Sequence, residues 1–230
     1  MKKIIASLRG LSLFETCLWI SSVLFIIASY LFIEEKSTLT LISSIIGATA
    51  LIFVAKGYVL GQILTLVFAV VYGIISYGYS YFGEMITYLG MTAPIAVVSI
   101  ISWVRHPYRD TSEVEIGKIS KKQILILLIL TVEVTVAFYF ILGYIENSNL
   151  IVSKVSVATS FLASYLLFLR SPYYALAYAA NDIVLITLWV LATIDNSEYF
   201  PMIVCFAVFL VNDMYGFINW RHIYKRQSEM

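Results

Sequence analysis

The stretch ILILLILTVEVTVAFYFILG, residues 124–143, decides the fold class of this chain. Its 20 residues include a single charged side chain, Glu133, and apolar and polar positions do not alternate outside the six residues 131–136. A helix of about 20 apolar residues crosses the ~30 Å hydrocarbon layer of a bilayer, whereas the strands of a membrane barrel alternate over about 10 residues. The segment is therefore predicted to be a transmembrane helix, and a barrel is rejected.

The composition extends this interpretation to the whole chain. Hydrophobic residues make up 61% of the 230 residues, charged residues only 13%, and the mean hydropathy is +0.90. Backbone groups in lipid must be hydrogen-bonded internally, so an all-α integral membrane protein is predicted. Hydrophobic runs between charged or turn-like breaks give eight spans, at residues 17–33, 39–55, 58–77, 83–103, 123–143, 151–169, 173–194 and 200–220.

Lysine and arginine orient these spans, because cytoplasmic loops collect basic residues. With the N-terminus inside, 13 of the 15 basic residues fall on the cytoplasmic side, so both termini are predicted to be cytoplasmic. The predicted cytoplasmic residues are Lys2, Lys3, Arg9, Lys56, Arg105, Arg109, Lys118, Lys121, Lys122, Arg170, Arg221, Lys225 and Arg226. The predicted external loops contain Glu34, Glu35, Lys36, Glu146, Lys154, Asp195 and Glu198.

An internal repeat relates residues 39–103 to residues 151–220. Each copy carries a basic residue between its first two helices, Lys56 or Arg170, and each ends in Trp followed by Arg and His. Three helices per copy require an intervening helix, 123–143, for the copies to point the same way, as in transporters built from parallel repeats. The expected division is an N-terminal segment with an extra helix at 1–38, a first triple-helix bundle at 39–103, a cytoplasmic loop and linker helix at 104–150, and a second bundle with a short cytoplasmic tail at 151–230.

Polar side chains inside the spans indicate a binding site, since ionisable groups in a bilayer usually face the bundle interior. Four acids lie within the predicted spans, namely Glu84, Glu133, Asp182 and Asp213. Aromatic rings with amides, hydroxyls and few fixed charges suit a neutral or singly charged planar ring that carries a sugar. The candidate substrate-binding residues are Asn181, Gln62, Trp189, Tyr174, Asn212, Tyr178, Tyr72, Tyr88, Glu84 and Tyr215.

Structural interpretations of several polar residues stand beside this hypothesis. Asp182 and Asp213 suit interhelical hydrogen bonds about as well as a site, and Glu133 suits a structural or oligomer-interface role better than substrate contact. An enzyme is not expected, because both histidines lie at helix ends and no catalytic constellation is present. No metal, cofactor or nucleic-acid partner is predicted. A ligand-sensing receptor remains an alternative class, because one fold can bind without transporting.

Three segments carry a resemblance to a known family: YFGEM at 81–85, NDIVLITLW at 181–189 and NDMYGFINW at 212–220. With the repeat order, they resemble the Pnu family of bacterial vitamin and nucleoside transporters over residues from about 39 to 225. The resemblance implies a SWEET-like fold, with one helix between two triple-helix bundles, in a bacterial cytoplasmic membrane. It also implies facilitated diffusion through a central site, trapping of the substrate by a cytoplasmic kinase, and commonly a homotrimer.

The resemblance leaves the substrate open. The family motif of two tryptophans one turn apart followed by an asparagine falls on Tyr174, Ala177 and Asn181, so only the asparagine is kept. Nicotinamide riboside, deoxynucleosides and thiamine are all candidates, and the small Ala177 is expected to leave room for a larger base. Substrate is expected to bond to Asn181, Gln62 and Asn212 near mid-membrane, and proton coupling remains an alternative to simple facilitated diffusion.

Overall fold

The computed structural model describes residues 10–34, 37–78, 81–145 and 149–229. Among these residues, eight helices are long and apolar enough to cross a membrane, which confirms the predicted all-α membrane fold. The helices are α1 (Leu13–Ser29), α2 (Thr38–Ala55), α3 (Val59–Gly78), α4 (Phe82–Arg105), α5 (Lys121–Tyr144), α6 (Leu150–Phe168), α7 (Tyr174–Asp195) and α8 (Phe200–Ser228). Six residues used to orient the spans lie outside the described ranges: Lys2, Lys3, Arg9, Glu35, Lys36 and Glu146.

Local signals set several helix boundaries. α1 begins at residue 13, earlier than the predicted 17, because Ser12 and Glu15 form a capping box in which each side chain accepts from the other residue's backbone N–H. α5 begins with the same device, formed by Ser120 and Gln123. α8 continues past Trp220 to Ser228, because no glycine or proline interrupts the polar tail, and the tail is therefore helical.

Six helices pack in a closed ring. Neighbouring pairs in the ring are α2–α3, α3–α4, α4–α6, α6–α7, α7–α8 and α8–α2, so each half of the ring is one copy of the sequence repeat. α5 packs against α6 on the outside of the ring, and α1 packs against α2 and α8. Every ring helix consequently has one face toward a shared centre.

The tryptophans that end the two copies join the halves reciprocally. Trp103 on α4 donates its indole N–H to the backbone carbonyl of Leu167 on α6, with an N–O distance of 3.3 Å. Trp220 on α8 donates to the carbonyl of Val54 on α2 at 2.8 Å, and the two indole rings lie 5.5 Å apart. Equivalent residues therefore make equivalent bonds to the opposite copy, as a parallel repeat requires.

The loop between α4 and α5 covers this end of the ring. The amide of Val114 donates to the carbonyl of Gly57, and the amide of Gly117 donates to the carbonyl of Arg170, both at 2.9 Å. Gly57 and Arg170 have positive φ values, 68° and 58°, and each follows the first helix of its copy. Gln227 of α8 donates to the Val114 carbonyl at 3.1 Å. The loop thus ties both copies and the C-terminal helix together.

A buried acid attaches α1 to the ring. Glu15 lies 3.1 Å from the ammonium group of Lys56 and accepts a hydrogen bond of 2.7 Å from the hydroxyl of Tyr215. Trp19 adds a bond of 3.0 Å to Thr49. The sequence-based count of four acids within the spans was too low, because the earlier start of α1 brings Glu15 inside the first span.

Candidate functional site

A small cavity of about 50 Å³ lies at the centre of the ring. This volume is below the ~300–1,000 Å³ range of small-molecule sites, so side chains in the wall must move for a solute of that size to bind. All six ring helices contribute to its wall, so neither copy of the repeat forms it alone. The lining residues are Gly47, Ala50, Leu51, Val54, Thr65, Phe68, Tyr88, Thr92, Ser160, Leu167, Tyr174, Tyr178, Asn181, Asp182, Phe206, Phe209 and Asp213.

Asn181 is the best-positioned amide in the cavity wall. Its carbonyl oxygen accepts hydrogen bonds from the hydroxyls of Thr159 at 2.7 Å and Ser160 at 2.9 Å, both on α6. Those two bonds use the oxygen and direct the NH₂ group, which donates to no other described residue, toward the remaining space. Asn181 is buried, so a solute in the cavity is the partner that this geometry best fits.

A second, narrow space, which is too small for a water molecule, adjoins the cavity, and Thr65, Thr92, Leu167 and Tyr178 line both. Gln62 lies here with no exposed surface, and neither its amide nitrogen nor its amide oxygen has a hydrogen-bond partner among the described residues. The hydroxyl of Thr92 also lacks a partner there. A buried polar group left unsatisfied costs about 1–3 kcal/mol, so these atoms favour a polar ligand.

Asp182 and Asp213 both line the cavity. From the sequence alone, a structural role and a role in the site suited them about equally. On α7, Tyr174, Tyr178, Asn181 and Asp182 have the i, i+4, i+7, i+8 spacing of one helix face. On α8, Phe206, Phe209 and Asp213 share a face in the same way. This spacing is the signal that could have placed both aspartates in the site from the sequence.

An aromatic layer lies beyond the cavity on the side away from the α4–α5 loop. The indole N–H of Trp189 donates to the hydroxyl of Tyr72 at 3.1 Å, and the ring of Tyr72 lies 4.4 Å from that of Tyr88. Tyr81 and Tyr199 add rings 5.0 and 5.7 Å from Trp189. Tyr81 lies between α3 and α4, and burial raises the pKa of its hydroxyl, with Tyr199 and Asp195 acting in the same direction. Trp189 and Tyr72 therefore adjoin the cavity and do not line it.

A second aromatic layer lies on the side of the α4–α5 loop. It consists of the buried rings of Trp103 and Trp220, with Tyr174 4.7 Å from Trp220. Tyr174 belongs to both the layer and the cavity wall. Ala177 packs in the same apolar cluster and is absent from the cavity lining, so the expected extra room at that position is not found.

Three candidate residues lie elsewhere. Glu84 accepts a hydrogen bond of 3.1 Å from Ser156 and so joins α4 to α6. Asn212 donates to the hydroxyl of Ser22 at 3.0 Å, and Tyr215 bonds to Glu15, so both face α1 on the outside of the ring. The structure thus places Asn181, Tyr174, Tyr178 and Tyr88 in the cavity wall and Gln62 in the adjoining space. No group of three or more potential metal ligands occurs among the described residues.

Comparisons with known proteins give matches over most of the chain. The sequence model of a family described as nicotinamide mononucleotide transporters matches residues 37–222. The chain is 26% identical over 215 residues to the nicotinamide riboside transporter PnuC of Neisseria mucosa, covering 91% of this chain and 82% of that one. It is 26% identical over 209 residues to PnuC of Haemophilus influenzae, covering 89% of each. The crystal structure of a vitamin B3 transporter PnuC matches with a TM-score of 0.85 and 25% identity over 99% of both chains.

Proposed function

The chain belongs to the nicotinamide mononucleotide transporter family, and on that premise we propose that it carries nicotinamide riboside across the membrane through the central cavity. Both relatives named above are nicotinamide riboside transporters. The observation that supports the proposal in this chain is that buried polar atoms of Gln62 and Thr92, beside the cavity, have no hydrogen-bond partner among the described residues. An aromatic box with free amides suits a pyridine ring that carries a carboxamide and a ribose.

The proposed cycle is facilitated diffusion between two aromatic layers. The solute enters from the side of Glu198, passes the Trp189 and Tyr72 layer, and bonds to Asn181 and Gln62. Movement of the two halves then opens the layer of Trp103 and Trp220 on the cytoplasmic side. The cycle as proposed requires no coupled ion, and a cytoplasmic kinase keeps uptake favourable by phosphorylating the solute.

We also propose where this cycle takes place and in what assembly. The protein lies in a bacterial cytoplasmic membrane with both termini inside, and it forms a homotrimer. The apolar surface of α5, which is largely uncovered by the rest of the chain, offers room for lipid or for a second copy. Cross-linking of the purified protein in lipid nanodiscs measures the oligomeric state directly.

Binding and flux together test the function. Purified protein is expected to bind nicotinamide riboside at micromolar or tighter, about −8 kcal/mol, by isothermal titration calorimetry. Vesicles that contain only this protein are expected to accumulate the labelled riboside down its gradient, and collapse of a proton gradient is expected to leave the rate unchanged. Binding without flux would favour a ligand-sensing receptor, and loss of flux with the proton gradient would establish coupling.

Deoxynucleosides form a second candidate substrate class, with thiamine as a further alternative. Tyr174 favours a changed specificity. It lines the cavity, and it stands at the motif position where the family has a tryptophan. The same titration with thiamine and a panel of ribo- and deoxyribonucleosides separates these cases. If only deoxynucleosides bind, then deoxynucleosides, and not nicotinamide riboside, are the substrate.

Gln62 allows a prediction that separates binding from stability. Replacing Gln62 with leucine removes two buried polar atoms that have no partner in the described ranges, so the ligand-free protein is expected to melt about 2–4 °C higher. The same change removes two hydrogen-bonding atoms from the site, so nicotinamide riboside affinity is expected to fall about tenfold. Melting of both proteins in detergent and calorimetry measure the two effects. An affinity equal to that of the unmodified protein would remove Gln62 from the site.

A further inference from the structure

The side chains of Asp182 and Asp213 form a carboxyl pair in the cavity wall. Asp182 lies on α7 and Asp213 on α8, and each residue is only 3% exposed. α7 and α8 are neighbours in the ring, so the two carboxyl groups share one small buried space. Two carboxylates that share a buried site do not readily ionise together, because their charges repel each other, so the pair holds one negative charge or none.

Within the described part of the chain, no cation is placed to compensate a charge on the pair. The cavity lining contains no lysine or arginine within the described ranges. The ion pairs of the described part of the chain join Glu15 to Lys56, Glu113 to Arg226 and Glu229 to Lys225, and none of them involves either aspartate. A buried charge without a partner is strongly unfavourable, so either a second proton or a cation from outside the protein must neutralise it.

One oxygen of the pair has unused bonding capacity. Oδ2 of Asp182 has no hydrogen-bond partner among the described residues, although the residue is almost fully buried. The side chain lines the cavity, so an occupant of that space is the group that can reach it.

Aromatic rings in the cavity wall also favour a positively charged ligand. Tyr88, Phe206 and Phe209 line the same cavity, and their ring faces attract cations. A negative charge enclosed by apolar and aromatic side chains is weakly screened, so its attraction for a positive group is stronger than in water. The wall is therefore electrostatically matched to a planar cation.

We propose that the Asp182–Asp213 pair makes the cavity selective for substrates whose aromatic ring is positively charged, over uncharged nucleosides of the same shape. The inference rests on the proposed function, because it takes nicotinamide riboside, which has a cationic pyridinium ring, as the substrate. With one shared proton the pair carries a single negative charge, which a singly charged ring neutralises. An uncharged nucleoside leaves that charge uncompensated unless the pair takes up a second proton.

The test compares two ligands of nearly the same shape and different charge. Nicotinamide riboside has a cationic ring, and its reduced dihydropyridine form has an uncharged one. The unmodified full-length protein is expected to bind the cationic form at least tenfold more tightly by calorimetry at pH 7. Equal affinities would overturn the proposal without any variant. Failure to bind either form would overturn the proposed function as well, so the two failures are distinguishable.

Variants then assign the selectivity to the pair. The double variant Asp182→Asn, Asp213→Asn keeps side-chain size and removes the charge, so affinity for the cationic form is expected to fall at least tenfold. Affinity for the uncharged form is expected to stay within threefold, which also shows that the variant is folded. If the double variant does not fold, the comparison of the two ligands with the unmodified protein still tests the proposal, because Asp182→Asn alone would leave the single charge on Asp213. Equal losses for both ligands, or no loss for either, would overturn the proposal.

A matched control removes a different intramembrane acid. Glu133 lies on α5, outside the ring and exposed on the surface of the described chain. Glu133→Gln is expected to leave both affinities within threefold of those of the unmodified protein. If this variant selectively lost cation binding, the selectivity would arise from general membrane electrostatics, and the proposed role of the pair would be wrong.

Discussion

Replacing Asn181 with alanine is expected to lower nicotinamide riboside affinity about tenfold or more. The change removes the NH₂ group at the cavity wall, so an acceptor on the bound solute is left without a partner in a buried site. A buried polar group left unsatisfied costs about 1–3 kcal/mol, and this cost arises only in the bound state. The hydroxyl of Thr159 keeps the carbonyls of Val155 and Ser156 as acceptors, so the loss of the Asn181 oxygen affects stability more than affinity. Calorimetric titration of the purified variant measures the affinity, and flux in vesicles is expected to fall with it.

Asn219 supplies the matched control for this change. It is also an asparagine that joins two helices of the ring, since its NH₂ group donates to the carbonyl of Ala55 at 2.8 Å. It does not line the cavity. Asn219→Ala is therefore expected to lower the melting temperature and to leave the affinity within about threefold. If both alanine variants lost binding to the same extent, the site would not be centred on Asn181.

Truncation of Trp220 is expected to be among the most destabilising single changes in the chain. The Trp220 side chain has no exposed surface, bonds to the Val54 carbonyl and packs against Trp103 and Tyr174. Replacing a fully buried tryptophan with alanine costs about 3–5 kcal/mol, and here it also leaves the carbonyl without that donor. The expected result for Trp220→Ala is a large drop in melting temperature, measured in detergent by the loss of monodisperse protein on heating.

Trp19 provides the comparison within the same protein. Its ring on α1 is only partly buried, and its indole N–H bonds to a threonine hydroxyl on α2. Trp19→Ala is expected to lower the melting temperature by less than half as much as Trp220→Ala, because less apolar contact is lost. Similar losses in the two variants would show that the junction between the two copies contributes no more to stability than the attachment of α1.

The sequence by itself determined the class of the fold and much of the chemistry of the cavity. Span length and hydropathy are local properties, so eight helices and the intervening helix between two copies could be counted from residues alone. Asn181 could be selected because a buried amide in a membrane helix is costly without a partner. Tyr174 and Tyr178 followed from their spacing relative to Asn181 on one helix face.

Only the tertiary structure decided which polar faces meet at the centre. The two Asn-Asp pairs look equivalent in the sequence, yet Asn181 and Asp182 both line the cavity, whereas on α8 Asp213 faces it and Asn212 faces α1. Helical spacing assigns residues to faces, but it does not say which neighbouring helix covers each face. α1 packs on the outer side of α8, so Asn212 and Tyr215 find their partners there, and the carboxyl pair meets only because α7 and α8 are neighbours in the ring.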